Sequence, residues 1–198
     1  MKNLRKPEEI IINGITLREL LKSHQRWLDN EENGEQLILK NADLRYADFK
    51  NVDLAYADLN NANLENANLE GANLTYADLT YANLTYANLR YVNLKNANLT
   101  YADLKYANLV CANLEGTNLK NANLRYTDLE NANLENANLE NTKFYLINLY
   151  KVNRKDLFEI GNIGSRNDTT HYFVEDNRVI CGCFDNTLEK FINKVKDT

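Results

Sequence analysis

The sequence predicts an all-β solenoid whose chain turns once every five residues and closes a square coil every twenty. Three observations carry this. Leu recurs at every fifth residue, a small residue precedes it by two, and Asp or Asn sits between them. The apolar positions are Leu44, Phe49, Leu54, Leu59, Leu64, Leu69, Leu74, Leu79, Leu84, Leu89, Leu94, Leu99, Leu104, Leu109, Leu114, Leu119, Leu124, Leu129, Leu134 and Leu139. A period of five fits neither regular element. On a helix, at about 100° per residue, Leu would drift by ~140° per repeat. On a flat strand, at about 180° per residue, successive Leu would alternate faces. Ala and Leu, two apart, share one side as in a strand, so the chain must turn once per repeat to bring the next pair inward. Four turns close a square, and coils stack at roughly 4.7–4.9 Å. With Leu39, Phe144 and Leu149 in the same register, the rod has about five to six coils and runs roughly 25–30 Å.

Three segments follow in chain order. Residues 1–36 read as an N-terminal cap of a short strand plus a helix. Ile10-Ile11-Ile12-Asn13-Gly14-Ile15 is an apolar run with a turn signal. Thr16 with Glu19 three on is a capping box, and Leu17, Leu20, Leu21, His24 and Leu28 follow at helical spacing. Gly34 marks the turn into the rod.

Residues 37–150 are the rod. The small position is Ala except at Val52, Val92, Thr117 and Thr127. Residues twenty apart lie above one another, so a column of Asp would repel itself. Asp43, Asp48, Asp53 and Asp58 ring the first coil, and Asn63, Asn68 and Asn73 continue above them. Only Asp58 beneath Asp78 breaks that alternation, and ladders of Asn bond along a stack without the penalty.

Residues 151–198 read as a hairpin and helix. Gly161 to Arg166 reads as a loop, and 171–174 and 179–184 as two strands. Asn186 with Glu189 caps a helix whose stripe is Leu188, Phe191, Ile192 and Val195.

The blocks typified by Ala62-Asn63-Leu64-Glu65-Asn66 resemble the pentapeptide-repeat family over residues 39 to 149. The resemblance implies a right-handed quadrilateral β-helix, the hand being the part that periodicity does not supply. The stretch around His24, Trp27 and Leu28 is similar to leaders before repeats in bacterial and phage members. The tail, with Gly164-Ser165-Arg166, Gly182-Cys183-Phe184 and Thr187-Leu188-Glu189, resembles a small module of phage and bacterial proteins that brings no assigned chemistry.

Composition narrows the function. Lys+Arg is 23 against Asp+Glu 28, a net charge of −5, which argues against direct nucleic-acid binding. No apolar stretch approaches the roughly 18 residues of a membrane helix. Three Cys without a secretion signal read as free thiols, so the expected location is cytoplasmic.

The search for chemistry finds no catalytic, cofactor or metal site. His24 and His171 have no local partner pattern. Cys181-Gly182-Cys183 lacks the four ligands of a closed zinc site. The first-coil Asp residues point to four sides and cannot converge on calcium.

Four columns of outer residues remain, read as four faces. The first carries Tyr46, Tyr86, Tyr106 and Tyr126, with a gap at Asn66. It is a candidate interaction strip, although stacked rings also serve simply to stabilise the rod. The leading expectation is a non-catalytic structural or protein-interaction rod, monomeric or dimeric, with an unknown protein partner. The first alternative is a DNA mimic that binds or protects DNA gyrase, a role the family resemblance brings with it. Residues 37–149 carry 9 Lys+Arg against 13 Asp+Glu, a net of −4. A duplex of equal length bears about fifteen charges, so charge disfavours the mimic. A second alternative is an enzyme or metal site in the C-terminal module.

Overall fold

Five-residue periodicity becomes backbone geometry in the computed structural model. It describes residues 3–144, residues 147, 149, 152 and 153, and the backbone of four strands between 157 and 187. From Ile38 with Asp58 to Asn133 with Asn153, the residue before the apolar position forms a parallel bridge to the residue twenty on wherever both are among the described residues. Twenty residues therefore make one coil. Each coil bonds both neighbours: Leu64 N–H donates to the Asn83 carbonyl at 2.7 Å, and Asn63 N–H to the Ala42 carbonyl at 2.9 Å.

The two residues after each Leu make the turn. Ala47 N–H closes onto the Leu44 carbonyl at 3.0 Å, and the same bond recurs along the rod. The second turn residue takes a positive φ, 60° at Tyr46, 58° at Asn66 and 67° at Gly71, as a type II turn requires there. The outer pairs therefore occupy the four corners of the square rather than the flat faces expected from the sequence. The flat sides carry the Asp/Asn side chains, since these alternate with the inward Ala and Leu.

The core is a stack of Leu from Leu44 to Leu139, with Phe49 among them, all buried. Ala fills the second inward position. The larger Thr117 and Thr127 are tolerated there because each hydroxyl donates to a carbonyl one coil back, Leu94 at 2.8 Å and Leu104 at 3.0 Å. A buried hydroxyl so satisfied avoids the cost of an orphaned polar group.

At the N-terminal end, Arg5 forms a parallel bridge with Ala47 and so covers one rung of the first coil. A 3-10 turn, Pro7–Glu9, leads into β1 (Ile11–Ile12) and β2 (Ile15–Thr16). The single short strand expected here is a two-strand hairpin. Asn13 and Gly14 both take positive φ, 51° and 85°, the pair that a tight hairpin turn needs. Helix α1 (Leu17–Leu28) starts at Thr16, whose side chain and that of Glu19 cap each other. Leu17, His24 and Ile10 are buried with Leu37 over the first coil.

The C-terminal segment departs from the expected hairpin and helix. β3 (Leu157–Asn162), β4 (Thr169–Phe173), β5 (Arg178–Cys181) and β6 (Phe184–Thr187) form a four-stranded antiparallel meander in chain order. Gly161 and Asn162, read as the start of a loop, end β3, while residues 163–168 lie outside the described residues. Asn186, read as a helix cap, pairs with Val179. A strand returning directly onto β5 wins over the capping signal. The stripe of Leu188, Phe191, Ile192 and Val195 lies outside the described residues.

Candidate functional site

The rod offers two kinds of surface, flat sides and corners, and the sequence assigns different chemistry to each. On the sides, each Asp or Asn turns its Oδ1 to the backbone N–H two residues on, as Asn63 does to Glu65 at 3.1 Å. Its amide then reaches along the stack. Asn68 donates to Asp48 at 3.0 Å, Asn88 to Asn68 at 3.0 Å and Asn123 to Asp103 at 3.0 Å. The expected ladder is therefore in place on three of the four sides; along Asp58, Asp78, Asn98, Asn118 and Asn138 no such amide bond links the coils among the described residues. Asp58, beneath Asp78, is neutralised by Lys40 at 3.0 Å.

The corners carry the variable residues. Along the first corner Tyr86 and Tyr106 stack at 4.8 Å, and Tyr106 and Tyr126 at 4.7 Å. Three members of the candidate strip are thus one continuous stack. Tyr46 stands apart beyond Asn66. Beside it Arg45 pairs with Asp43 at 2.7 Å, and this bond holds the Asp43 carboxyl down from 3.8 to about 2.

Two further columns were not singled out in the sequence. Tyr56 and Tyr76 stack on the third corner at 5.1 Å, and Tyr81 and Tyr101 on the fourth at 5.0 Å. Sorting residues by twenty already aligns them. Their continuation into the cap was not legible: Trp27 meets Tyr56 edge-on at 6.2 Å, and His24 stacks on Trp27 at 5.7 Å.

Charge separates the corners. On the second, third and fourth, Lys sits one coil below Glu: Lys50–Glu70 at 2.9 Å, Lys95–Glu115 at 3.0 Å and Lys120–Glu140 at 2.8 Å. On the first corner Lys105 lies below Arg125, cation under cation. Neither has a carboxylate partner among the described residues. Lys105 instead lies 5.0 Å from the Tyr106 ring centre and 5.9 Å from that of Tyr126. Exposed Tyr86 and Tyr106 with these two cations make the first corner basic and aromatic.

His24 is fully buried. Its Nδ1 accepts the Leu37 N–H at 3.1 Å, which requires the neutral imidazole. Burial lowers its pKa from 6.5, with the Asp53 charge opposing. It joins cap to rod. Cys111 is a free, half-buried thiol at the second corner. Among the described residues no group of three or more His, Cys, Asp and Glu is placed to hold a metal. The side chains of His171, Cys181 and Cys183 lie outside the described residues.

A family model for pentapeptide repeats matches eight copies across residues 38–71, 53–90, 77–116 and 112–149. Among solved structures, the chain is similar to a pentapeptide repeat protein from the Arabidopsis thaliana thylakoid lumen. That match has 32% identity over 45% of this chain and 66% of that one, with a TM-score of 0.40. It is similar to HetL, involved in heterocyst differentiation regulation in the cyanobacterium Nostoc sp. strain PCC 7120, at 30% identity over 59% and 63%, TM-score 0.33. It is similar also to QnrB1, a plasmid-mediated fluoroquinolone resistance protein, at 21% identity over 62% and 64%, TM-score 0.39. The chain spans less than two thirds of each of these. No curated protein matches it.

Proposed function

The chain belongs to the pentapeptide-repeat family, whose fold is the right-handed quadrilateral β-helix, and we propose that it is a non-catalytic rod that binds a protein partner along its first corner. One observation carries this reading. Lys105 lies one coil below Arg125, neither with a carboxylate partner among the described residues, on the corner that also bears Tyr86, Tyr106 and Tyr126, whereas each of the other three corners has a Lys–Glu pair. Stacking like charges one coil apart costs stability. A partner presenting carboxylates removes that cost, and half-exposed Tyr rings add contact area at small entropic cost. Side-chain stacking and partner binding are compatible, because a ring stacked along the rod still presents its edge and hydroxyl outward.

The same proposal places the protein in the cytoplasm, as a monomer or dimer, without direct nucleic-acid contact; the net charge of −5 supports the last point. The duplex-mimic reading has less behind it. Asp48, Asp53 and Asp103 accept Asn amides, and three corners neutralise a Glu with a Lys. A gyrase supercoiling assay in which the protein inhibits at micromolar concentration would reinstate it.

The test of the proposal is affinity capture from a cell extract with the full chain as bait. A second bait carries Tyr86→Asn, Tyr106→Asn and Tyr126→Asn, since the rod already uses Asn at this turn position. The proposal expects a captured protein with the first bait and its loss with the second at unchanged circular dichroism. Equal capture by both would remove the first corner from consideration.

A further inference from the structure

Where the cap meets the rod, the end of α1 and the first coil enclose an open groove of about 410 Å³ lined by Trp27, Leu28, Asn30, Glu31 and Tyr56. Its two aromatic walls stand at 72° to one another, with ring centres 6.2 Å apart. Each wall is braced from behind. Trp27 stacks on His24 within 13° of parallel, and Tyr56 stacks on Tyr76 within 10°. Trp27 and Tyr56 nevertheless remain 36% and 47% exposed. The third feature is charge. Glu31 is exposed, and its backbone N–H donates to the Arg26 carbonyl at 2.9 Å, which fixes the loop carrying it. Its carboxylate has no ion-pair partner among the described residues.

Two rigid rings near a right angle, both lining the groove and both partly exposed, together with Glu31 in the same lining, match one ligand chemistry. We propose that this groove is a recognition site for a methylated ammonium group. Such a group is a compact cation with weakly hydrated methyls, so aromatic faces replace its water at little cost and attract its charge through the ring quadrupole. Glu31 supplies the counter-charge. A bare ammonium holds its water more tightly and gains less. A guanidinium stacks flat on one ring and leaves the second unused. His24 suits the site as well: accepting the Leu37 N–H, it puts no positive charge behind Trp27. The groove lies on the third corner, so this inference and the reading of the first corner can fail independently.

The test uses the full chain. Trp27 is its one tryptophan, so indole emission reports on the groove directly. Tetramethylammonium chloride is titrated at ionic strength held constant with sodium chloride, and tert-butanol serves as the uncharged isostere. The proposal expects a saturable emission change for tetramethylammonium at millimolar concentration and none for tert-butanol. Glu31→Gln, isosteric and exposed, weakens the midpoint about three- to fivefold, and Tyr56→Leu does the same. Both variants are checked by circular dichroism. Choline and a peptide bearing trimethyl-lysine then distinguish the sources of the cation. Tighter binding of the peptide assigns the site to a protein side chain, and equal binding to a free small cation; either supports the site. No saturable change with tetramethylammonium, an equal response to tert-butanol, or an unaltered midpoint in Glu31→Gln overturns it.

Discussion

The residue that pays for each corner is the second of the turn, at φ near +60°. Asn and Gly enter that region readily, but nine Tyr occupy it here, with φ between 57° and 61°. For seven of them, Tyr56, Tyr76, Tyr81, Tyr86, Tyr101, Tyr106 and Tyr126, stacking offsets the strain, because rings one coil apart meet at 4.7–5.1 Å. Replacing Tyr106 with Asn keeps the backbone conformation and removes two stacks. The expected loss is about 1–3 kcal/mol by urea denaturation, and a variant as stable as the parent would show that stacking contributes nothing. The side ladders make a second claim. Asn68→Asp deletes the amide donated to Asp48 and sets two carboxylates one coil apart. The stability deficit should therefore be larger at about pH 7 than at about pH 4, where protonation relieves the repulsion. An equal deficit at both would mean that only the hydrogen bond matters. Both effects were legible from the twenty-residue stacking alone. The Thr117 and Thr127 hydroxyl bonds were not, since their acceptors lie 23 residues away and depend on backbone direction.

At the scale of elements, two residues are decisive where the cap joins the rod. Gly34 passes the helix end so closely that a Cβ there would lie 2.2 Å from the Trp27 nitrogen. Backbone cannot yield as a flexible side chain would. Gly34→Ala should cost about 1–3 kcal/mol and shift Trp27 emission, both read in one thermal melt followed by fluorescence. Unchanged melting and emission would refute the close approach. His24 makes the cap sensitive to acid. Its pKa lies below 6.5 because burial disfavours the imidazolium, and a proton on Nδ1 would face the Leu37 N–H. With the folded value depressed below the unfolded one, its stabilisation is complete above about pH 6.5 and is lost as pH falls below it. Melting temperature should drop between about pH 7.5 and 5.5, and His24→Phe should flatten that slope; an equal slope in both would place the titration elsewhere. The helix was readable from its capping box and its stripe, and Gly34 as a turn. The role of His24 was not, because its acceptor function depends on a backbone N–H thirteen residues on. In the tail, local signals favoured a helix from Asn186, but strand pairing with Val179 decides that residue.

Across the whole molecule, one repeated constraint explains most of what is seen. Each coil must bury its Leu, bond its neighbours and turn four times, so core and sides are determined by the repeat and only the corners are free to vary. Twenty in-register apolar positions made the rod legible without any structure. The partner surface was half legible: Tyr86, Tyr106 and Tyr126 fall into one column by counting. The cations of one corner and the Lys-under-Glu order of the other three also follow from counting by twenty, whereas the turn of Lys105 to the Tyr106 and Tyr126 rings needs side-chain geometry. The same freedom explains why corners with similar columns differ in charge while the core varies only at a few positions such as Phe49, Thr117 and Thr127. The most direct test compares binding of the captured partner to three forms of the full chain: the parent, Lys105→Glu with Arg125→Glu, and Glu130→Lys with Glu135→Lys as a control on other corners. The account predicts that reversing the two cations weakens the dissociation constant by about tenfold or more while the control binds as the parent does. Parent-like binding by the first variant, with loss confined to the control, would contradict it.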